Sequence, residues 1–245
     1  MTYSPFFLEG ADRPARWVIT CDHATNVVPD FVNGGDLGLP AQDMNRHIAY
    51  DIGAFGVSKH LGALLNAPVV ASNFSRLVID PNRGADDPTL LMKLYDGSII
   101  PGNRLADAQE REARIKACYE PYHDALAGLM RRPDPILVAI HSFTPQLRGK
   151  PPRPWQIGIL APDEEPFSPF LVEQLQQEAD LCVGINQPYT GYLPGDSVDR
   201  HATAAGHPNT LIELRNDLIA DPADQQAWAA RLAEILPKAL ERSGL

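Results

Sequence analysis

The sequence has few cysteines and an excess of acid over base. Three cysteines, Cys21, Cys118 and Cys182, are scattered over 245 residues, without metal-type spacing and in a number that cannot pair completely. Lys and Arg number 21 against 31 Asp and Glu, which gives a formal net charge of −10. An acidic chain does not provide the basic surface that nucleic acid or an anionic membrane requires. We therefore expect a protein of a reducing compartment that binds neither.

Long hydrophobic runs are also missing. Charged residues, Glu9, Asp12, Arg13 and Arg16, interrupt the N-terminal stretch where a signal peptide would be apolar. The longest apolar run, 136–140, is far too short to cross a bilayer. These observations predict a cytoplasmic protein without a membrane partner, and they leave its oligomeric state open.

Proline and glycine are abundant, and strand and helix signals alternate between them. The 23 Pro and 18 Gly indicate many ordered turns and short connections. Short apolar segments predict strands, whereas longer amphipathic segments predict helices, one of them with an interruption near Pro121. The strands are 17–21, 68–71, 136–140, 156–160, 182–185 and 209–214, and the helices are 44–65, 107–132, 169–180 and 222–242. This alternation predicts one α/β domain over 1–245, a three-layer α/β/α fold with a mixed, mostly parallel sheet.

Polar side chains follow or interrupt several of these strands. His23 comes just after the first predicted strand, His141 just after the central one, and Glu213 stands at the end of a later one. Ligands in such folds bind beyond the carboxyl ends of the strands. Two imidazoles and a carboxylate with one open position are typical of catalytic zinc. We therefore expect a metal site containing His23 and His141.

The third metal ligand has several candidates. Asp51 and His47 lie four residues apart on the predicted helix, hence on one face. Asp51 is favoured because it supplies a hard anionic ligand. In the alternative, His47 binds the metal and Asp51 orients it. Asn26 stands where a His-x-x-Glu pair would place its carboxylate, and a neutral amide is a poor zinc ligand.

A second set of polar residues lies within 75–83. Arg83, beside the amide of Asn82, offers a planar fork for a substrate carboxylate. Arg76 could stabilise a carbonyl oxygen that becomes anionic in the transition state. Asp80 is expected to support one of the two arginines.

A third set surrounds Glu213. A carboxylate in an apolar strand must pair, bind metal or act as an acid or base, and Arg215 on the same strand face could hold it. Arg215 is also expected to bind the substrate. His201 belongs to a loop, 199–208, that could close over a substrate and donate a hydrogen bond to it. His123, on a predicted helix, is expected to face solvent.

These motifs, in this order, resemble the N-formylglutamate amidohydrolase (N-formylglutamate deformylase) family. The resemblance implies a fold like that of the zinc-dependent exopeptidases (phosphorylase/hydrolase-like). It also implies His23 and His141 as metal ligands, Arg76 as carbonyl polariser, Asn82 and Arg83 as carboxylate clamp, and Glu213 as general base. Asn26 departs from the Glu of the related exopeptidases. The matching stretches are 21–26, 47–54, 75–77 with 80–83, 141–145, 153–155 with Gly158, and 213–218.

The function implied by the resemblance is hydrolysis of N-formyl-L-glutamate to formate and L-glutamate. A zinc-activated water would attack the amide with Glu213 as base, as part of histidine catabolism, and another divalent metal could replace zinc. Three alternatives are a deacylase of another small acidic N-acylamino acid, a carboxypeptidase-like peptidase, and a catalytically silent dicarboxylate-binding protein.

Overall fold

The structure, a computed structural model, describes residues 3–245, and its centre is a seven-stranded sheet. The strands of this sheet are β1 (Phe6–Glu9), β2 (Trp17–Cys21), β3 (Val69–Ser72), β6 (Ile136–Phe143), β7 (Ile157–Leu160), β8 (Val183–Ile185) and β9 (Asn209–Arg215). They are arranged in the order β1-β3-β2-β6-β9-β7-β8. A separate hairpin joins β4 (Leu94–Tyr95) to β5 (Ser98–Ile99).

The sheet is mixed and mostly parallel, as predicted. The four strands β3, β2, β6 and β9 run parallel to one another. At the two sides, β1 pairs antiparallel with β3, and β7 pairs antiparallel with β9 while running parallel to β8. Every residue of β2, β3, β6 and β7 is buried, which is typical of strands covered on both faces.

Helices cover both faces of the sheet. They are α1 (Ala41–Met44), α2 (Ala54–Leu64), α3 (Pro101–Arg104), α4 (Ala108–Arg114), α5 (Glu120–Leu129), α6 (Ser168–Leu175), α7 (Ser197–His201) and α8 (Pro222–Ser243). Successive strand residues face opposite sides: Ile19 and Val138 pack with α2, α6 and α8, whereas Val18 and Leu137 pack on the side of α5. The predicted three-layer α/β/α arrangement is confirmed.

The predicted helix 44–65 is wrong in its first half. Residues 45–53 form turns between α1 and α2, and α2 begins only at Ala54. Gly53 precedes it with a φ of 80°, and a Cβ there would lie 2.1 Å from the carbonyl oxygen of Ile219. The left-handed conformation and this close approach both require glycine, and together they end the turns that carry His47 and Asp51.

Other segments differ in length from the prediction. β6 continues to Phe143, so His141 lies within the strand rather than after it, and α6 ends at Leu175 rather than at 180. The predicted interruption near Pro121 is a π-helical turn, Ile115–Tyr119, between α4 and α5. The α8 helix agrees with the prediction, and Gly244 follows it in the left-handed conformation. No helix formed by residues 3–245 is long and apolar enough to cross a membrane.

Candidate active site

Three buried side chains meet at the carboxyl ends of the central strands. His23 follows β2, His141 lies near the end of the neighbouring β6, and Asp51 belongs to the turns before α2. The backbone N–H of Asp51 donates to the carbonyl oxygen of His23 at 2.8 Å, which holds the turn against β2. One ligand atom from each residue lies within 4.8 Å of the other two. These three residues are called the metal cluster below.

The imidazoles of the metal cluster both turn Nδ1 towards Asp51. His141 Nδ1 lies 2.9 Å and His23 Nδ1 lies 3.3 Å from Asp51 Oδ2, and the two rings are 5.0 Å apart. Two imidazoles and one carboxylate, all but excluded from solvent, are the donor set of a catalytic zinc site. The residues present therefore fit a divalent metal.

A second carboxylate supports each imidazole from behind. His23 Nε2 lies 2.7 Å from Asp80 Oδ1, and His141 Nε2 lies 3.1 Å from Asp22 Oδ2. Asp80 also accepts from the Asn82 N–H, and Asp22 accepts from the hydroxyls of Tyr122 and Ser197. An N–H donated from Nε2 to a carboxylate fixes the ring and leaves the Nδ1 lone pair for a metal, as in carboxylate–histidine–metal triads.

The charges of the metal cluster stabilise one another. Burial alone would raise the pKa of Asp51, but the His23 and His141 rings lower it well below its usual range. Burial would likewise lower the pKa of His141, yet hydrogen bonds to Asp22 and Asp51 raise it well above its usual value. Without a metal, a proton on His141 thus takes the place of a cation between two carboxylates.

Arg76 connects two of these carboxylates. Its Nη1 lies 3.3 Å from Asp51 Oδ1 and its Nη2 lies 3.2 Å from Asp80 Oδ2, so the predicted support of an arginine by Asp80 is present. Its Nε is buried and has no hydrogen-bond partner within residues 3–245. The guanidinium also lies over the Tyr95 ring at 5.6 Å. Arg76 therefore keeps one donor available beside the metal cluster.

Glu213 is the register partner of His141 in the parallel pair β6 and β9, so the two side chains share a face of the sheet. Its Oε2 is buried and accepts no hydrogen bond from the described part of the chain. Burial, with a contribution from Asp51, raises the pKa of Glu213 to about 7 against the lowering effect of His141. A buried carboxyl of this kind can take up and release a proton near neutral pH.

A cavity of about 540 Å³, here the main cavity, opens over the metal cluster and Glu213. Much of its wall is the loop 186–196, between β8 and α7. A Cβ at Gly158 would lie 2.1 Å from the carbonyl oxygen of Gln187, so glycine at that position lets the loop approach β7. Residues lining the main cavity include Arg76, Asn82, Arg83, Tyr95, Leu160, Gln187, Tyr189, Asp196 and Leu211.

The predicted carboxylate clamp lies on this wall. Asn82 Oδ1 accepts from the Ser197 N–H at 3.4 Å, and Arg83 donates from Nη1 to the Asn82 carbonyl and from Nε to Thr89. Among described residues, no carboxylate pairs with Arg83, which leaves its charge available to a ligand. Asp196, close by, has a pKa raised by burial to about 6.

Three predicted site residues lie elsewhere. Arg215 pairs with Asp217 at 2.8 Å rather than with Glu213. His201 is buried in α7, where its Nε2 lies 2.8 Å from His123 Nδ1, so the expected solvent-facing position of His123 is wrong. Asn26 donates to the Met44 carbonyl and to the Asn45 side chain. Among residues 3–245, the lining of the main cavity does not include Arg215, His201 or Asn26.

His47 contacts the metal cluster although its segment is not helical. Its Nδ1 lies 3.4 Å from Asp51 Oδ1 and has no hydrogen-bond partner within the described chain. Burial lowers the pKa of His47 to about 4, against the raising effect of Asp51. The favoured third ligand, Asp51, touches both imidazoles, whereas the ion pair that His47 forms within residues 3–245 is with Asp51.

Two features of the site were not predicted from the sequence: Asp22 as a support for His141, and the loop 186–196 as part of the cavity wall. The position of Asp22, next to His23 in a polar string directly after a strand, could have indicated its role. The loop had a signal too: two prolines, two glycines and two tyrosines in a long connection after a predicted strand, a type of segment that is often functional. The segment expected to close the site, 199–208, is largely helical instead.

Comparisons with known proteins identify the family and the fold. The family model for N-formylglutamate amidohydrolase matches residues 15–220. The crystal structure of a gene product of Agrobacterium tumefaciens is 34% identical, with a TM-score of 0.92 over 99% of this chain and 97% of the other. An N-formylglutamate amidohydrolase from Ralstonia eutropha JMP134 is 21% identical, with a TM-score of 0.72 over 99% of this chain and all of the other, and it supports the fold alone. None of the curated proteins matches the chain significantly.

Proposed function

The chain belongs to the N-formylglutamate amidohydrolase family and is a hydrolase acting on an amide, and from this we propose that it converts N-formyl-L-glutamate and water to formate and L-glutamate. One observation carries the proposal: His23, Asp51 and His141 form a buried cluster, and Glu213 stands in register beside it with an unpaired carboxylate oxygen. A place in histidine catabolism remains a prediction from the family resemblance, and a cytoplasmic location remains a prediction from the composition and the N-terminal sequence.

We assign His23, Asp51 and His141 as ligands of a divalent ion, zinc being the best match to two imidazoles and a carboxylate. A zinc ion held there would polarise the amide carbonyl and acidify water. Asp80 and Asp22 fix the two rings so that both Nδ1 atoms face Asp51. These side chains are preorganised before substrate arrives, because each one is held by at least two partners.

The remaining site residues bind and orient the substrate. Arg83, with the Asn82 amide, would take a substrate carboxylate, and the free Nε of Arg76 would donate to the amide carbonyl oxygen as negative charge develops there. This assignment explains how an anionic substrate binds to a chain of net charge −10. Arg215 and His201 were also predicted to bind substrate. Their positions support this role less than those of the other predicted substrate-binding residues do.

Glu213 would move the proton. It accepts a proton from the attacking water as the water oxygen joins the formyl carbon. When the C–N bond breaks, it passes that proton to the departing amine nitrogen, so that water supplies the atoms needed for formate and glutamate. Burial raises the pKa of the Glu213 carboxyl and so favours both the uptake and the release of a proton.

Replacing Glu213 tests this role. We expect Glu213→Gln to reduce formate release by about 10²–10⁴-fold, since the amide cannot accept the proton, while the metal content stays at the wild-type level. Glu120→Gln, an exposed acid on α5, is the matched control and should leave both unchanged. Near-normal turnover of Glu213→Gln in metal-loaded protein would refute the assignment.

A further inference from the structure

A second cavity of about 480 Å³ lies beside the main one. The two share three side chains, His47, Tyr95 and Tyr189, which therefore stand where the cavities meet. His47 contacts the metal cluster, with Nδ1 3.4 Å from Asp51 Oδ1. The second cavity is thus adjacent to the main cavity at these side chains.

The second cavity lies away from the carboxylate clamp. Asn82, Arg83 and Asp196 line the main cavity, and among the residues described none of these three lines the second. If the amino-acid carboxylate of a substrate binds Asn82 and Arg83, the second cavity is space that the clamp does not border and that the acyl group can occupy. This arrangement predicts that the second cavity receives the acyl portion.

The walls of the second cavity are polar and contain an available cation. Arg148 is exposed, lies close to Gly97 of the β4–β5 hairpin, and has no carboxylate partner within residues 3–245. The other cation, Arg46, is paired with Asp43 and Asp96. Asp96 also lines this cavity, and its negative charge is paired with Arg46. Thr144, Gln146 and Asn216 add neutral polar groups, and Ile48, Ile52 and Leu147 add apolar surface. This lining suits a short aliphatic chain that ends in an anionic oxygen.

A formyl group would leave the second cavity unused, since it places only a hydrogen atom on the acyl side of the carbonyl. N-formylglutamate is also much smaller than the drug-sized ligands that cavities of about 300–1,000 Å³ enclose. The main cavity alone reaches about 540 Å³. The size and position of the second cavity therefore favour a longer acyl group.

We propose that the protein hydrolyses N-acyl derivatives of glutamate whose acyl chain is several atoms long and ends in a carboxylate, with that carboxylate beside Arg148. The inference rests on the proposed amide hydrolysis and changes its substrate class. In the reaction the water oxygen joins the acyl carbon, the C–N bond breaks, and the nitrogen takes a proton. The products are a dicarboxylic acid in its ionised form and glutamate.

The test compares three substrates with metal-loaded wild-type protein: N-formyl-, N-butyryl- and N-succinyl-L-glutamate. Butyryl and succinyl have the same number of carbons and differ in the terminal carboxylate. We expect kcat/KM for the succinyl substrate to exceed that for the formyl and the butyryl substrates by about tenfold, which corresponds to about 1.4 kcal/mol of transition-state binding.

Two variants locate the acyl chain. Arg148→Gln should lower the succinyl-to-butyryl ratio of kcat/KM several-fold, because it removes the charge but not the space. Leu147→Trp should fill the second cavity and lower both the succinyl-to-formyl and the butyryl-to-formyl ratios by about tenfold. Arg104→Gln, an exposed arginine on α3, is the matched control and should leave every ratio unchanged.

The outcomes separate this inference from the proposed function. If the formyl substrate is cleaved at least as well as the longer ones and both variants keep the wild-type ratios, the second cavity does not bind the acyl group, although amide hydrolysis stands. If no glutamate amide is cleaved by metal-loaded protein, the proposed function fails first and the inference fails with it. Cleavage of the succinyl but not the formyl substrate supports the inference and replaces the substrate proposed above.

Discussion

Asp80 illustrates how much of this site depends on residues that do not belong to the metal cluster. Its Oδ1 lies 2.7 Å from His23 Nε2 and accepts from the Asn82 N–H, while its Oδ2 accepts from Arg76. Burial would raise the pKa of Asp80, but His23 and Arg76 lower it well below its usual range. Asp80 therefore stays ionised and orients a metal ligand, the oxyanion donor and the clamp together.

Replacing Asp80 with a neutral residue should affect metal binding more than it affects the fold. We expect Asp80→Asn to lower zinc affinity by about tenfold to a hundredfold, because the amide makes the His23 ring a less basic ligand. A chelator-competition titration measures this affinity directly. The exposed Asp86→Asn, a few residues away, should retain the wild-type value. Unchanged zinc affinity in Asp80→Asn would contradict the supporting role.

Site residues could be predicted from the sequence where reactive polar side chains stand at positions that are unusual for them. His23, His141 and Glu213 stood out because polar side chains interrupt or follow apolar strands. Asp51 was chosen for its spacing from His47 on a predicted helix that does not form there, yet the structure brings all four together. The paired second carboxylates could not be predicted fully, since the contact between Asp22 and His141 spans 119 positions of sequence. Likewise, the neighbouring sequence does not show which arginine pairs with a carboxylate. Arg215 pairs with Asp217, whereas Arg83 stays free for a ligand.

At the scale of elements, the loop 186–196 is held over the site by its approach to β7. Gly158 makes that approach possible, because any Cβ there would overlap the Gln187 carbonyl. The loop contributes Gln187 and Tyr189 to the wall of the main cavity. Its position should therefore respond to a single methyl group on β7.

We expect Gly158→Ala to displace the loop 186–196 and raise KM more than it lowers kcat, with a stability cost of about 1–3 kcal/mol from overpacking. Steady-state kinetics and urea unfolding measure the two effects. Gly128→Ala, in α5 with no backbone within contact distance beyond its own helix, is the control and should be neutral or slightly stabilising. Wild-type KM and stability in Gly158→Ala would show that the loop does not depend on this contact.

A buried pair of imidazoles joins the helices α5 and α7. The rings of His123 and His201 are stacked at 5.1 Å, and the Nδ1 to Nε2 distance is 2.8 Å. Burial lowers the pKa of His123 to about 3 and that of His201 to about 4, with Arg200 contributing to both. Both rings are therefore neutral in the folded protein at neutral pH.

This pair should make stability depend on pH. Because the folded pKa values lie below the unfolded value of 6.5, the contribution is complete above pH 6.5 and is lost as the pH falls towards 4. Between pH 7 and pH 5, the free energy of unfolding should fall by of order 1–2 kcal/mol more in wild type than in His201→Gln. Urea unfolding at both pH values tests this, and His60→Gln should behave like wild type. Equal pH dependence in wild type and His201→Gln would be inconsistent with a buried neutral pair.

Elements with a strong periodic signal could be predicted, and those set by distant contacts could not. The buried strands and α8 follow their apolar patterns closely. The sequence predicted a helix at 45–53 because Ile48 and Ile52 have helical spacing. The segment forms turns instead, and Gly53, through its close approach to Ile219, determines where they end. The hairpin of β4 and β5 had a local signal, the Asp96-Gly97 turn with positive φ at both residues, but its strands are too short to show a pattern.

For the whole molecule, an alternation of short apolar and longer amphipathic segments was sufficient to predict the layer arrangement and the edge of the sheet where the site lies. That a single domain spans 1–245 stays a prediction, and the family match covers 15–220 of it. The acidic charge of the molecule is compatible with an acidic substrate only through local cations, of which Arg83 and Arg148 have no carboxylate partner within residues 3–245. Both therefore become tests of where the substrate binds.

The central claim is that a divalent ion held by His23, Asp51 and His141 is needed for amide hydrolysis, and metal removal tests it most directly. Wild-type protein and Asp51→Ala are stripped with a chelator and titrated with zinc, while bound metal and release of formate from N-formyl-L-glutamate are both measured. We predict that stripping abolishes turnover, that about one zinc per chain restores it in wild type, and that Asp51→Ala neither retains the ion nor recovers activity. Undiminished turnover in stripped wild-type protein would contradict the account.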